Sequence, residues 1–435
     1  MPVVKLLATA ATALSALASI VALSGQTLLV TGKRPARFIE SIGPRVTAVP
    51  IPAFAGAHAI WGATGQDSQG HIWFGVTAGG SPVPSAHLFE YDPDAGRAID
   101  RGNVVEQLKA AGVLRPGEHQ AKIHSRIVQG PDNYLYFSSM DEEGESDDGS
   151  RLPTWGGHLW RMKIDTYRWE HLLAVPEALI AVAGGGRFVY ALGYFGHVLY
   201  RFDTKTAEVK QVRVGSVEGH VSRNFVADYR GHVYVPRLRA DTTTLDRRVV
   251  RVSIVEFSSD LKELHDTPIE YEHYIDRNPT ESHGVTGLQE MADGSWFFTT
   301  HVGFLYHIVP PAKGSAGAAD ESAAAVVSVG WFHPDGRTYV ASLFTNDGAG
   351  TLLGLAHNNL AEGSSGAYQW LTFDLQSGTC RVAPFAMAGV EPSLMSSSLL
   401  YGSTTRDALG QHYVVGIGPI AGNGPVVLRV EPRKR

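Results

Sequence analysis

The sequence is short of cysteine and of positive charge, and both shortages exclude whole classes of protein. The single cysteine, Cys380, cannot form a disulfide within the chain, so no disulfide framework holds the fold. The formal charge is −6 at pH 7, from 37 basic and 43 acidic residues, so no basic field gathers phosphate backbones. We therefore expect no nucleic-acid partner.

Sequence motifs of the common enzyme classes are missing as well. The chain has no Gly-x-Ser-x-Gly nucleophile elbow, no P-loop and no dinucleotide fingerprint. The sequence therefore gives no support for the enzyme classes that these motifs define.

Long apolar runs are missing except at the N-terminus, where Leu6 to Val30 is rich in Ala and Leu. We interpret residues 1–30 as a signal peptide or an N-terminal membrane anchor, and residues 31–44 as a linker. Export to the periplasm or outside the cell is expected, with anchoring through residues 6–30 as the alternative. The basic residues Lys33, Arg34 and Arg37 follow the run and favour a cytoplasmic domain instead, so topology stays open.

Glycine is abundant, with 48 residues, and many glycines belong to a repeat. The repeat is an Asp/Gly turn followed by a short aromatic and β-branched strand, as in Gly70-His71-Ile72-Trp73-Phe74. From His71 to His412 six steps span 341 residues, about 57 residues a unit, as in four-stranded propeller blades with enlarged loops. The seven units begin at Gly70, Asp132, Gly186, Gly231, Gly294, Gly336 and Gly410.

Residues 45–435 are therefore predicted to form an all-β, seven-bladed β-propeller of four-stranded blades, preceded by an apolar N-terminal helix. A propeller has to close its ring, and the strand near Val46 stands alone before the first blade. We predict that this strand completes blade seven by pairing with residues near Val427 to Val430.

Histidines recur where the repeat places the mouth of the central channel. First strands line the channel, and their starts meet the ends of the second strands on one face, where function gathers on this fold. The predicted first-strand starts hold His58, His124, His220 and His283. The predicted second-strand ends hold Met140, Tyr194, Arg237 and His301. Arg126 and Arg223 follow two of these histidines and add positive charge.

Two chemistries suit such a cluster, and the residues alone leave both open. Several neutral imidazoles would hold zinc, manganese or a similar ion, for which His283 and His301 are the candidate ligands. Alternatively, Arg neutralises a substrate carboxylate while His and Tyr exchange protons with it. A calcium site in the acidic loop at residues 141–150 is a further candidate, although its spacing matches no defined coordination loop.

The segments Lys122-Ile123-His124-Ser125, Tyr134-Leu135-Tyr136-Phe137 and Gly156-Gly157-His158-Leu159 resemble secreted seven-bladed propellers of the ulvan lyase kind. Oligogalacturonate lyases and streptogramin lyases have similar architecture. The resemblance implies β-elimination at a uronic acid, with His124 as the proton-transfer histidine and Tyr194 as the candidate tyrosine. Met140 stands where relatives often carry a histidine, and the closely spaced metal ligands of oligogalacturonate lyases are not found.

The leading hypothesis is an exported or anchored propeller that binds an anionic polysaccharide at this mouth and cleaves it by elimination. His124, Tyr194 and His220 are then the catalytic candidates. The candidates for substrate binding are His58, Arg126, Arg223 and Arg237. The rival hypothesis is a non-enzymatic interaction subunit of a membrane-associated complex, because the fold alone does not decide function.

Overall fold

The described part of the chain covers most of the predicted propeller. The computed structural model describes residues 33–80, 83–146, 150–194, 197–216, 222–240, 250–274, 284–314, 322–345, 350–357 and 367–432. The apolar segment at residues 6–30, His220 and His283 lie outside these ranges. Within them, no helix combines the length and the apolar character needed to cross a membrane.

The strands form seven separate sheets, which are the blades of the predicted propeller. Two strands precede the first blade, β1 (Ala36–Ile39) and β2 (Arg45–Ala48). Blade 1 contains β3 (Ala57–Ala59), β4 (Thr64–Gln66), β5 (Ile72–Ala78), β6 (His87–Asp92) and β7 (Arg97–Asn103). Blade 2 contains β8 (Lys122–Ile123), β9 (Val128–Gln129), β10 (Tyr134–Met140), β11 (Gly157–Lys163) and β12 (Trp169–Val175). Blade 3 contains β13 (Leu179–Gly185), β14 (Phe188–Gly193), β15 (Val198–Asp203) and β16 (Val209–Arg213).

The remaining four blades follow in chain order. Blade 4 contains β17 (Val226–Ala227), β18 (Val233–Ala240), β19 (Val250–Phe257) and β20 (Glu263–Ile269). Blade 5 contains β21 (Val285–Glu290), β22 (Trp296–Thr300), β23 (Phe304–Val309) and β24 (Ala325–Trp331). Blade 6 contains β25 (Tyr339–Thr345), β26 (Thr351–His357), β27 (Tyr368–Asp374) and β28 (Thr379–Pro384). Blade 7 contains β29 (Leu399–Arg406), β30 (His412–Gly418) and β31 (Gly424–Glu431).

Helical structure in the described residues is limited to short connecting segments. The α-helices are α1 (Val104–Ala110) and α2 (Pro392–Ser396). Two 3₁₀ turns occupy Tyr271–His273 and Pro419–Ala421. α1 begins at Asn103, whose side-chain oxygen accepts a hydrogen bond from the Glu106 N–H and so caps the helix.

The ring closes as the sequence predicts. β2 pairs antiparallel with β31, with Val46 opposite Val430, and so supplies the fourth strand of blade 7. β1 adds a further strand to blade 6 by pairing parallel with β28. The N-terminal chain therefore covers the outer edges of two neighbouring blades.

The sixth repeat unit is assigned to the wrong strand by the sequence. The segment at Gly336–Val340 leads into β25, which is the first strand of blade 6, whereas the second strand is β26. A glycine turn before an aromatic strand has the same chemistry at either hairpin, so the turn alone does not fix the strand's place in its blade.

The core lies between neighbouring blades, which explains why the inner strands are buried on both faces. All seven residues of β5 are buried. One apolar cluster joins blades 7, 1 and 2 and contains Trp73, Phe137, Trp160 and Tyr413. A strand packed on both faces shows a nearly continuous apolar run, as the repeat sequences do.

A hydrogen-bonded aspartate joins the first two strands in blades 1, 4 and 7. One carboxylate oxygen accepts the backbone N–H four residues later. The other oxygen accepts the aromatic N–H or O–H six residues later at 2.8–2.9 Å. The aspartates and their aromatic partners are Asp67 with Trp73, Asp228 with Tyr234, and Asp407 with Tyr413. This contact ties each turn to the middle of its blade and fixes where the first strand ends.

Candidate functional site

Two cavities open along the channel that the first strands line. We call the face where the first strands begin the upper face, and the face where they end the lower face. The upper pocket has a volume of about 40 Å³, and the lower vestibule about 830 Å³. The upper pocket is lined by Trp61, His124, Arg126, Arg223, Tyr339 and Tyr401, among others. Arg126 also lines the lower vestibule, so it separates the two cavities.

His124 lies where the first strand of blade 2 is interrupted. β8 ends at Ile123 and β9 begins at Val128, and both pair with β10. Within the interruption, the Ser125 hydroxyl accepts the Ser138 N–H at 2.8 Å, which holds the irregular backbone against the blade. His124 is buried and faces the upper pocket, as its predicted place at the channel mouth requires.

Two arginines bring positive charge to the upper pocket. The Arg223 guanidinium carbon lies 5.2 Å from the centre of the Tyr401 ring, and that of Arg126 lies 5.7 Å from the centre of the Trp296 ring. Burial lowers the pKa of Arg126 to about 10, while the nearby Glu290 acts in the opposite direction. Among the described residues that line the upper pocket there is no carboxylate. The pocket is therefore electropositive.

Two further predicted residues lie beside this pocket. His58 is exposed on β3, and its ring centre is 6.5 Å from that of Trp61. His301 is buried, and its ring centre is 5.4 Å from that of Tyr339. His220 and His283, predicted on the same face, lie outside the described residues.

Arg237 and Tyr194 are not brought to the upper pocket. Arg237 is buried in blade 4, where its guanidinium donates to Glu263 at 2.8 and 2.9 Å and also to Asp266. Arg237 lies in the middle of β18, three residues before the strand ends. The prediction that it ends the second strand at the channel mouth is therefore wrong. Tyr194 packs in the apolar cluster shared by blades 3 and 4, and its backbone N–H donates to the Ala178 carbonyl at 2.8 Å.

The sequence missed Tyr339 and Tyr401, which supply the phenols of the upper pocket. Tyr339 was hidden by the wrong register of the sixth unit, since it begins the first strand of blade 6 rather than the second. Tyr401 lies on β29, upstream of the turn that identified blade 7. The sequence signal that could have identified Tyr401 is its place as an aromatic residue at the third position of β29, the first strand of blade 7.

Two groups of side chains have the composition of a metal site. Asp67, His71 and Glu90 lie together in blade 1, with His71 Nδ1 2.6 Å from Glu90. Blade 4 repeats the arrangement with Asp228, His232 and Glu256. Glu90 also pairs with Arg101, and Glu256 with Arg230. The same hydrogen-bonded group therefore recurs in two blades as part of the structure that holds their strands together.

The second group involves the acidic loop at residues 141–150. Asp141 is buried and lies 2.7 Å from His119 Nδ1, and Glu143 lies 3.0 Å from His119 Nε2. The Trp155 indole donates to Glu143 at 2.9 Å. The start of this loop is therefore folded back on the segment before β8 and held by hydrogen bonds.

Comparison with known proteins supports the fold. No family model and no curated protein sequence matches the chain. Among solved structures, the extracellular domain of a hybrid two-component system from B. thetaiotaomicron is similar, with a TM-score of 0.51 and 15% identity over 88% of this chain. The match covers only 39% of that longer chain. Kuenenia stuttgartiensis hydrazine synthase has a TM-score of 0.48 and 9% identity, over 87% of this chain and 97% of that one.

At 15% identity, the likeness to the B. thetaiotaomicron domain establishes the β-propeller architecture alone. That domain is not described as a polysaccharide lyase. The resemblance to lyases therefore rests on the blade 2 segments between residues 122 and 159.

Proposed function

We propose that this propeller binds the carboxylate of an acidic saccharide in the upper pocket. The observation that carries the proposal is the lining itself, in which Arg126, Arg223 and His124 face one cavity and no described lining residue is a carboxylate. A carboxylate ligand would accept charge-assisted hydrogen bonds from these guanidinium groups.

Buried donors support the same ligand. The Trp61 indole nitrogen and the Ser342 hydroxyl line the pocket and are buried. Neither has a hydrogen-bond partner in the part of the chain that the structure describes. Gly402 leaves the space for this hydroxyl, because a Cβ there would lie 2.1 Å from Ser342 Oγ. An oxyanion would accept from both groups.

The size of the pocket indicates how a saccharide would enter. A volume of about 40 Å³ holds roughly three water molecules, which is the size of a carboxylate rather than of a sugar ring. The ring would therefore lie above the pocket on the upper face, beside the exposed His58.

We further propose that the bound saccharide is cleaved by β-elimination, which one observation favours. His124 shares the pocket with Tyr339 and Tyr401, which replace Tyr194 as the candidate phenols. In the reaction, the base removes the proton beside the uronate carboxylate and the bond to the leaving oxygen breaks. A carbon–carbon double bond forms, and the acid protonates the leaving oxygen. Arg223 would stabilise the charge that develops on the carboxylate.

Binding is tested by titrating the full-length protein with a trigalacturonate in a calorimeter. Arg223→Gln should weaken affinity about tenfold or more, because it removes a charge-assisted hydrogen bond. Arg97→Gln, an exposed position on the outer strand of blade 1, serves as the control and should change nothing. If wild type binds no uronate, the proposal fails and the interaction subunit anchored through residues 6–30 becomes the preferred hypothesis.

Elimination is followed as new ultraviolet absorbance from the unsaturated product of a uronate polymer. His124→Asn keeps most of the side-chain volume and should lower the rate by about 10²- to 10⁴-fold. His87→Asn, on the third strand of blade 1, should leave the rate unchanged. Retained activity in His124→Asn would make His124 structural and direct attention to His220.

A metal-dependent form of the proposal uses His301 with His283. It requires zinc, manganese or calcium to co-purify with the protein, and a chelator to abolish activity that the added ion restores. Activity that is unchanged by chelation would remove the metal from the proposal.

A further inference from the structure

The lower vestibule lies at the opposite end of the channel from the predicted mouth. The first strands of six blades end at its wall, at Gln66, Gln129, Gly185, Glu290, Thr345 and Arg406. Its volume of about 830 Å³ lies within the range of about 300–1,000 Å³ that small-molecule sites occupy. The vestibule is thus large enough for a whole ligand.

The indole of Trp296 is an unused donor in this wall. Trp296 is only 5% exposed, and its Nε1 has no hydrogen-bond partner among the residues described. An indole N–H can only donate, and buried ones normally find an acceptor. The Arg126 guanidinium carbon lies 5.7 Å from the centre of the same ring, and Glu290 of the same lining interacts with it electrostatically.

His412 adds a second unused polar group to the lining. It is fully buried against Phe344, and neither ring nitrogen has a partner in the described part of the chain. Burial lowers the pKa of His412 to about 3, so the ring is neutral and offers one N–H donor and one acceptor nitrogen.

Two side-chain acceptors of the vestibule are already engaged. Gln66 Oε1 accepts the Arg406 backbone N–H at 2.8 Å, and Gln129 Oε1 accepts the Ser68 N–H at 2.6 Å. The carboxyl of the lining is Glu290, whose pKa is raised by burial while the nearby Arg126 acts in the opposite direction. With Arg126 and Arg406 against Glu290, the lining carries more positive than negative charge.

We propose that the lower vestibule is a second binding site, for an acidic small molecule whose oxyanion lies between the Arg126 guanidinium and the Trp296 N–H. The site goes beyond the function proposed above, because neither His124 nor Arg223 lines it. A carboxylate, a sulfate and a phosphate all carry the required acceptors.

The two cavities can be followed separately in one spectrum. The chain has 8 tryptophans, and labelling their indole nitrogens gives each an NMR signal. Trp61→Phe and Trp296→Phe identify the signals of the upper pocket and the lower vestibule. The full-length protein is titrated with sodium glucuronate, sodium sulfate and sodium phosphate in separate experiments, and with glucose as the neutral control. The anion that saturates the shift at the lowest concentration identifies the oxyanion.

The proposal expects the Trp296 signal to shift with at least one anion and not with glucose. Arg126→Gln should weaken that response about tenfold or more, whereas Arg223→Gln should leave it unchanged. If no anion changes the chemical shift of the Trp296 signal, the vestibule site is rejected. It is also rejected if Arg126→Gln shows the same anion response as wild type. A Trp61 response alone would keep the upper-pocket proposal and reject this one, and a Trp296 response alone would do the reverse.

Discussion

Val46 and Val430 face each other across the ring closure, in the ladder that joins the two ends of the described chain. Both are buried and belong to one apolar cluster with Leu400 and Val414 of the same blade. Closure of the propeller therefore depends on apolar packing as well as on backbone hydrogen bonds.

Val46→Asp should lower the free energy of unfolding by about 3 kcal/mol or more, since it buries an unpaired carboxylate in the closing strand. Urea unfolding measures the loss. Ala48→Asp introduces the same charge at an exposed position of β2 and should cost about 0.5 kcal/mol at most. Equal losses in the two variants would show that the packing of Val46 is not what closes the ring.

Asp228→Ala should destabilise the protein by roughly 2–4 kcal/mol, because several buried donors lose their acceptor together. These donors are the His232 N–H, the Tyr234 hydroxyl and the Arg230 backbone and side-chain N–H groups. Thermal and urea unfolding of Asp228→Ala and of the exposed Asp165→Ala provide the comparison. The aspartate turn would be unimportant if the two variants unfolded at the same urea concentration.

Glu177 should make stability depend on pH. Burial raises the pKa of its carboxyl from 4.5 to about 7 in the folded protein. The folded state therefore keeps a proton that the unfolded chain releases, so stability is lost as pH rises from about 4.5 to about 7. The loss amounts to at most about 3 kcal/mol.

Glu177→Gln should remove this part of the pH dependence. Urea unfolding of wild type and variant at about pH 5 and about pH 8 brackets the transition. Relative to wild type, the free energy of unfolding of the variant should be higher at about pH 8 than at about pH 5. A difference that is the same at both pH values would contradict the raised pKa.

The number of blades and the ring closure were predictable because each blade repeats the same local chemistry. A turn residue followed by aromatic and β-branched residues marks a strand wherever it occurs, and seven such units with one leftover strand define a closed ring. The place of β25 was not predictable in this way, since Gly336 and Gly350 have equivalent turn chemistry and only strand pairing separates them.

The site was predictable only where the register was right. His124 was placed at the channel because the turn at Asp132 marks the second strand of blade 2, and the first strand pairs with it as predicted. Arg237 was misplaced because β18 continues three residues beyond it, and strand length is set by pairing with β19 rather than by local sequence. The lower vestibule left no local signal, because Trp296 and Arg126 come from blades that are distant in sequence.

The N-terminal chain is fastened to blade 6 by β1 before it reaches blade 7 through β2. A mechanical pull from upstream of Lys33 therefore loads the hydrogen bond from the Trp331 N–H to the Lys33 carbonyl first, and then β1 with its Arg37–Asp335 ion pair. The closing ladder carries tension only after β1 has detached. A protein tethered through residues 6–30 would thus bear strain at the outer edges of blades 5 and 6 while the channel keeps its shape.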